Sequence, residues 1–506
     1  MVKNNSPVLI AFLLLSLGLA APVAGAQTGF VLANLNTPGE KNYYLEKLNT
    51  LDHKVLSFLE RQRNQGTGLL ESFHGSSNYY YDEASQQYYA QKAGLLDQQA
   101  FTYDLALAVI VYVINGQNKK ADDILAVLKD NFFVEKNGYI GLLNAYQTSE
   151  FDVWGQDNLL MGVDGDRIHV GPNMWVAMAS LQYDRLSHTA KYLDFAIAIA
   201  KWAYGLPHFR FADGSRGAVS MGSGWGPDWS TVYSTENIID NYAVLQMLEE
   251  LYKTADEQEK SIFAANKFGL KEIQYEKQCI KNWLLRVGFN KNYQSFNCGY
   301  NEKGVDQTKA LDTVSWSITA LGPEVLVSWG LNPVKMIQFA EENFLVQQEI
   351  NGEMIEGFDF TDEQGKDKNR PRLIWWEGTG EMVLAYQVMA DYSQRQGNPA
   401  RAEAYQEKAL RFLMAMERMN EQAGLPEGVL PYTSIQPKDR EVLNTFFYEW
   451  EIPRGRGGRW VSALSSTLWR ILGMTGFNPL VHEQRTAGLL KHTSEEMRAK
   501  ANKLNP

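Results

Sequence analysis

Two cysteines and seven histidines in 506 residues are few, and each scarcity removes a class of protein. Cys279 and Cys298 alone exclude a disulfide-built scaffold; their spacing permits one bridge in an oxidising compartment and equally permits two buried free thiols. Two cysteines cannot complete a zinc site without histidine, and the histidines are scattered with no HExxH or His-x-His spacing. No transition metal and no required cofactor are therefore expected. Positive charge is also short: 48 Lys and Arg stand against 59 Asp and Glu, a formal net charge of −11. That balance argues against nucleic acid or an anionic membrane surface as the partner, while leaving room for an acidic glycan held by local arginines. Long apolar runs are missing after the N-terminus. The one run, Val8 to Ala21, follows Lys3 and precedes Ala24-Gly25-Ala26. It is short for a bilayer span of ~20 residues, and the pattern predicts a secretory signal over 1–26, cleaved after Ala26, with a secreted or periplasmic mature chain. No Cys follows the run, which argues against a lipid anchor. Neither a Pro/Ser-rich linker nor an abrupt composition shift divides residues 42 to 480, so one large domain is expected, preceded by an extension over 27–41 and followed by a polar tail over 481–506.

What the chain does have is a repeated theme: a Gly- and aromatic-rich loop, an apolar helix with a carboxylate in its first turn, then a second helix. It appears as Thr102-Tyr103-Asp104 before LALAVIVYVI, Ser234-Thr235-Glu236 before NIIDNYAVLQML, Asp312 before TVSWSITAL, and Trp375-Trp376-Glu377-Gly378-Thr379 before GEMVLAYQVMA. Residues 105–114 are apolar all round, as an enclosed helix requires, whereas residues 42–63 place Leu45, Leu48, Leu51, Val55, Phe58 and Leu59 on one face. Inner helices are predicted near 103–114, 173–185, 235–252, 313–328, 377–391 and 460–472. Outer helices are predicted near 42–63, 119–129, 190–203, 257–285, 333–343 and 399–420. Long loops lead into the inner helices and short turns leave them, so the functional loops gather at one end of an all-α ring of helical hairpins.

These features resemble the six-hairpin glycosidase-like superfamily, the (α/α)6 toroids of glucoamylase-type and related glycoside hydrolases, over roughly residues 42 to 480. The resemblance implies a carbohydrate substrate, an active site at the N-terminal ends of the inner helices, and hydrolysis with an inverting outcome; the same superfamily includes lyases, epimerases and phosphorylases.

Inverting hydrolysis needs one carboxylic acid to protonate the leaving oxygen and one carboxylate to activate water, roughly 6.5–9.5 Å apart. Sequence neighbours seldom provide that separation, so the pair is sought on different hairpins. Glu236 and Glu377 are the catalytic candidates. Substrate-binding candidates are Tyr103, Asp104, Trp225, Asp228, Trp229, Asp240, Asp312, Trp316, Trp376, Arg456 and Arg459. Tryptophan faces stack on sugar C–H faces, and carboxylates bind hydroxyls. The competing account of each first-turn carboxylate is a helix-dipole partner, with Ser234 or Thr235 as the cap before Glu236. Glu381, one turn beyond Glu377, reads as a structural partner. Of Trp375 and Trp376, adjacent in an extended segment, only one can point inward. Glu356, Asp359 and Asp362 are further water-activating options. Asp164-Gly165-Asp166 lacks the spacing of a calcium loop and reads as a solvated turn. Arg454 to Arg459 form a basic island that either holds an anionic group or pairs with Glu449 and Glu451. Together with the tyrosines at 79–81 and 88–89 near His74, that island keeps open a lyase acting on uronate-containing glycan; a glycan-binding toroid without catalysis is the third reading.

Overall fold

The computed structural model describes residues 54–75, 79–82, 87–90, 98–133, 140–148, 167–224, 229–362, 371–435 and 459–482. The signal segment, the extension over 27–41, the first part of the helix expected at 42–63 and the tail beyond 482 lie outside the described residues.

The helices are α1 (residues 54–62), α2 (Thr102–Ile114), α3 (Asn118–Val127), α4 (Val170–Ser187), α5 (Leu193–Tyr204), α6 (Thr235–Thr254), α7 (Glu257–Asn266) and α8 (Leu270–Trp283). They continue with α9 (Asp312–Trp316), α10 (Pro323–Ser328), α11 (Pro333–Phe344), α12 (Trp376–Arg395), α13 (Pro399–Ala423) and α14 (Leu464–Thr475). Helix α2 packs on α4, α4 on α6, α6 on α9, α9 on α12, α12 on α14, and α14 back on α2. That closed circuit of six inner helices is the (α/α)6 toroid the resemblance implied. Outside it lie α3, α5, α7 with α8, α10 with α11, and α13. Helix α1 sits where the outer partner of α14 belongs: Glu60 accepts a hydrogen bond from Tyr112 Oη at 3.1 Å and pairs with Lys120, while Lys54 reaches Glu427 beyond α13.

Sequence explains the two classes of helix. Every residue of α2 from Asp104 to Val113 is buried, whereas α3 buries only Ala121, Ile124 and Leu125. The fourth inner helix differs from the continuous span expected at 313–328. It runs as α9, passes into a π-turn over Ser317–Leu321, and stops at Gly322, whose φ of +83° suits glycine. Pro323 bars the preceding residue from helical geometry. Hydroxyls of Ser317 and Thr319 also bond carbonyls four residues back, competing with the regular ladder. The outer helix expected over 257–285 is likewise two helices, broken where Lys267 turns left-handed before Gly269.

Cys279 and Cys298 are both free thiols, so the bridge that their spacing permitted is not made. Among the described residues no helix is long and apolar enough to cross a membrane. Buried ion pairs hold the fifth and sixth hairpins. Arg470 of α14 grips Glu417 of α13, with both side chains wholly buried, and Arg411 of α13 grips Glu356. Deleting one partner of such a pair strands the other charge in the interior. Glu417→Ala should therefore cost about 3–5 kcal/mol, measurable as a lower midpoint in denaturant unfolding, while a double replacement of Glu417 and Arg470 by apolar residues of similar volume should recover most of that loss.

Candidate active site

The inner helices begin in a common way. An extended residue leads into five of the six, α9 being the exception because Leu311 is already helical, and in all six the backbone N–H at the start is taken by a carbonyl from the loop of the next hairpin. Thr102 N donates to Asn144 O at 3.0 Å, Val170 N to Met221 O at 2.8 Å and Thr235 N to Cys298 O at 2.9 Å. Leu311 N donates to Phe360 O at 2.9 Å, Trp376 N to Tyr432 O at 3.2 Å and Leu464 N to Ser72 O at 2.9 Å, which closes the circle. Short antiparallel ladders reinforce these junctions: Gln99–Phe101 with Ala145–Gln147, Arg167–His169 with Gly222–Gly224, Tyr233–Ser234 with Gly299–Tyr300, and Phe73–His74 with Ser462–Ala463. The hydroxyls of Thr102 and Thr235 bond the carbonyls of Leu143 and Asn297, one residue before the carbonyl that takes each backbone N–H. Helix N-termini that would leave orphan donors are thereby satisfied in one common register.

That register brings the chemistry together. The residues one past the six capped positions are Tyr103, Gly171, Glu236, Asp312, Glu377 and Ser465. The hydroxyls of Ser465 and Tyr103 and the charge of Asp312 all act on Glu377. Asp312 also acts on Glu236. One helical turn further, the corresponding residues are Leu107, Trp175, Asp240, Trp316, Glu381 and Trp469. The three tryptophans come from alternate inner helices and meet near the centre, with Trp175 centroids 5.5 Å from Trp316 and 5.8 Å from Trp469. Tyr103 packs edge-on to Trp175 at 5.1 Å and accepts the Trp469 indole N–H at 2.5 Å. A tier of acids and hydroxyls thus sits on an aromatic floor, in which Asp240 lies wholly buried beside the Trp175 indole and Glu381 accepts from Ser315 Oγ at 2.6 Å.

Burial among like charges sets the protonation of the cluster. Desolvation is the first cause in every case. It raises Glu377 to about 7, helped by Asp312 and opposed by the two hydroxyl donors. It raises Asp312 to about 6, opposed by the Thr313 backbone N–H. Glu236 rises well above the usual carboxylate range through burial and then the charges of Asp312 and Glu377. Asp240 and Glu381 rise through burial and neighbouring carboxylates, and Asp104 through burial and Glu377 against a hydrogen bond from Ser72. Asp312 and Glu377 are thus brought to about 6 and about 7, and Glu236 is pushed toward its protonated form.

The sequence candidates fall into three groups. Tyr103, Asp104, Glu236, Asp240, Asp312, Trp316 and Glu377 converge, with Glu236 and Asp312 partly exposed and the other carboxylates buried. Trp229 stands partly exposed over the start of α4, its ring 5.1 Å from that of His169. Trp225, Asp228, Arg454, Arg456 and the Asp164–Asp166 turn lie outside the described residues, and Arg459 is exposed. Trp376 is corrected: its indole is wholly buried and offers no face to a sugar, because the helix start turns it into the hydrophobic core. Trp316 is 3 % exposed and serves as floor. The extra acids are corrected as well. Glu356 is bound to Arg411, Asp359 accepts from the backbone of Phe360 and pairs with Arg372, and Asp362 pairs through one oxygen with Lys309, so each is engaged in an ion pair. Sequence reading missed Ser72, Trp175, Tyr432, Ser465 and Trp469. The signal for three of them was register, since Trp175, Ser465 and Trp469 stand at fixed offsets from an extended-to-helix junction. Among the described residues no group of three or more His, Cys, Asp or Glu is placed to hold a metal ion.

No protein-family model matches the sequence, and no curated protein matches it. Similar solved structures include a cellobiose 2-epimerase from Bacillus thermoamylovorans, at 11 % identity and TM-score 0.46, over 85 % of this chain and 98 % of that one. A family 76 glycoside hydrolase from a bovine Bacteroides thetaiotaomicron strain is 10 % identical with TM-score 0.49, over 85 % of this chain and 77 % of that one. A sugar epimerase from a ruminal bacterium is 10 % identical with TM-score 0.48, over 84 % and 98 %.

Carboxyls whose pKa is raised by folding bind more protons in the native than in the unfolded chain, so their contribution to stability is lost as pH rises from the ordinary carboxylate range through about 6 for Asp312 and about 7 for Glu377. Glu377→Gln and Asp312→Asn should each raise the melting temperature by about 1–3 °C near pH 8 and leave it unchanged near pH 5. Scanning calorimetry at the two pH values checks this, and an equal shift at both would contradict it.

Proposed function

We propose that this chain is an exported glycoside hydrolase acting on a polysaccharide or oligosaccharide, with Glu236 as the general acid and Glu377 as the general base. The carrying observation is the contrast between two carboxyls at one register position, two hairpins apart, with Asp312 between them. The Ser465 and Tyr103 hydroxyls act on Glu377 to favour its ionised form, whereas among the described residues Glu236 is acted on by two carboxylates that favour its protonated form. Environments that push paired carboxyls apart are what acid/base assignment rests on.

In this reading a sugar ring enters beside the partly exposed Glu236 and Asp312, above the acid tier that the buried Trp175, Trp316 and Trp469 support from below. Glu236 gives its proton to the glycosidic oxygen as the bond to the anomeric carbon breaks. Glu377 takes a proton from the water that attacks the opposite face, so the configuration inverts. Asp312, ionised nearby, stabilises positive charge developing on the ring. Support for hydrolysis over β-elimination comes from the sign of the field: among the described residues, the charged groups acting on Asp104, Glu236, Asp240, Glu377 and Glu381 are carboxylates. A uronate would enter against charge of its own sign.

The test incubates the chain from residue 27 with neutral and acidic glycans, following new reducing ends and the absorbance of unsaturated products. Reducing ends without absorbance are expected, with Glu236→Gln and Glu377→Gln each lowering kcat by about 10²–10⁴. The rate should climb as pH rises through about 7, where Glu377 ionises, and fall once Glu236 loses its proton. Unsaturated product would establish a lyase, and glycan affinity without turnover would establish a binding toroid.

A further inference from the structure

We propose a second ligand site on this chain, remote from the acid ring: a cleft between inner helix α6 and outer helices α8 and α10 that takes one anionic sugar residue, its charged group against Lys281 and Tyr242 and its ring beside Trp329.

An outer helix ordinarily turns its polar row to open water. On α8 the row Gln274, Lys277, Gln278 and Lys281, spaced by three and four, instead lines a cavity of about 160 Å³ against Tyr242 and Glu249 of α6 and Trp329 at the end of α10. Tyr242 and Glu249 lie six and thirteen residues beyond Glu236 on α6. At a rise of 1.5 Å per residue the cavity is therefore roughly 9–20 Å along the helix from the acids. Its volume is below the roughly 300–1,000 Å³ of sites for drug-sized ligands, which suits a single ring.

Three donors meet there without acceptors. Tyr242 is only 6 % exposed, yet its hydroxyl makes no hydrogen bond among the described residues and it lines the cavity. Burial and then the charges of Glu249 and Glu250 push that phenol up to about 12, so it keeps its hydrogen. Lys281 Nζ lies 5.6 Å from the centre of the half-buried Trp329 ring and pairs with no carboxylate among the described residues. The Trp329 indole N–H likewise donates to none of them, and its ring stands edge-to-face with Tyr242 at 5.7 Å. The one carboxylate in the cavity, Glu249, is already taken by Lys277 at 2.6 Å, Lys253 at 3.0 Å and Gln274 at 3.1 Å. An uncompensated ammonium and an unanswered buried phenol call for oxygens of negative charge. The aromatic wall beside them fits the C–H face of a sugar. The sign is opposite to that of the acid ring, so a charged sugar repelled there is attracted here.

The proposal stands apart from the hydrolase reading, and its test needs no turnover. The full mature chain carrying 5-fluorotryptophan is titrated with glucuronate, glucose 6-sulfate, glucose and inorganic sulfate, none of which has a glycosidic bond to cut. The fluorine-19 signal of Trp329, identified by its loss in Trp329→Phe, reports occupancy. At least one of the two acidic sugars should shift it saturably, the tighter one identifying the anion, and glucose should bind at least about tenfold more weakly. Lys281→Gln should weaken the acidic sugar about tenfold or more, and Tyr242→Phe about threefold or more. Lys119→Gln, which removes a lysine on distant α3, and Glu236→Gln should leave its affinity unchanged. No shift with either acidic sugar would sink the proposal. So would equal affinity for glucose, inorganic sulfate binding as tightly as the sugars, or a Lys281→Gln variant that matches Lys119→Gln.

Discussion

The six hydrogen bonds that join the start of each inner helix to the following loop are the constraint on which the rest of the molecule depends. A helix N-terminus presents donors that its own backbone cannot satisfy. Leaving one buried and unpaired costs free energy comparable to a lost hydrogen bond. Here the debt is met by a neighbour and never by the hairpin itself, so every junction ties two hairpins together. Ser72 shows the economy of the arrangement: its carbonyl takes Leu464 N, its hydroxyl takes Phe101 N at 2.8 Å, and that hydroxyl also acts on Asp104. One residue thus links the last hairpin, the first hairpin and the acid cluster. Because all six bonds share one register, the side chains that follow them arrive at a common level, and a ring of chemistry follows from a ring of backbone bonds.

That level is costly to occupy with carboxylates. Asp312 raises the pKa of Glu377 and of Glu236, Glu377 raises that of Glu236 further, and the deeper Asp240 and Glu381 have still less access to water. A sequence selected for stability alone would place hydroxyls or amides there, as Ser465 does in the sixth hairpin. Stabilisation comes from below and outside instead. The tryptophan floor and the apolar girdle of α2 and α4 remove large side chains from water, each worth about 1.5–3 kcal/mol, and the buried pairs Arg470–Glu417 and Arg411–Glu356 anchor the fifth and sixth hairpins that present Glu377 and Ser465. Strain at a functional surface against a well-packed interior is the usual division in catalytic proteins.

Much of this was legible in the sequence, for a definable reason. Enclosed helices such as 105–114 advertise themselves by being apolar on every face, and the junctions of the first, third, fourth and fifth hairpins announce themselves by an acid in the first turn. Hence Asp104, Glu236, Asp312 and Glu377 could be found, and Asp240 and Glu381 followed from a step of four along the helix. The second and sixth hairpins carry Gly171 and Ser465 at the same level, residue types that look like ordinary helix starts. Their contributions to the floor, Trp175 and Trp469, became visible only when the register of the backbone bonds was known. Trp376 shows the opposite failure. Two adjacent tryptophans at a junction state that one points inward, but which one depends on where the extended segment ends, and that is set by Tyr432 from a distant loop. The break at Gly322-Pro323 was written in the sequence and was overridden by an apolar pattern that runs through it.

Taken around the ring, the six positions are not equivalent, and their order has mechanistic content. Glu236, Asp312 and Glu377 are consecutive, on the third, fourth and fifth hairpins; Ser465, Tyr103 and Gly171 complete the circle on the other side. A substrate centred on the axis would meet three carboxyls on one half and two hydroxyls and a bare backbone on the other. The bare position is compulsory, since a Cβ on Gly171 would lie 2.8 Å from Asn237 Oδ1 and 3.2 Å from Asp240 Oδ2. Asn237 Oδ1 in turn accepts Gly171 N at 2.5 Å, which locks α6 against α4 directly below Glu236. The glycine therefore fixes the helix that carries Glu236. The half of the ring without acids holds the acids of the other half in place, and the asymmetry that makes two carboxyls chemically different is built from the residues that look least like catalysts.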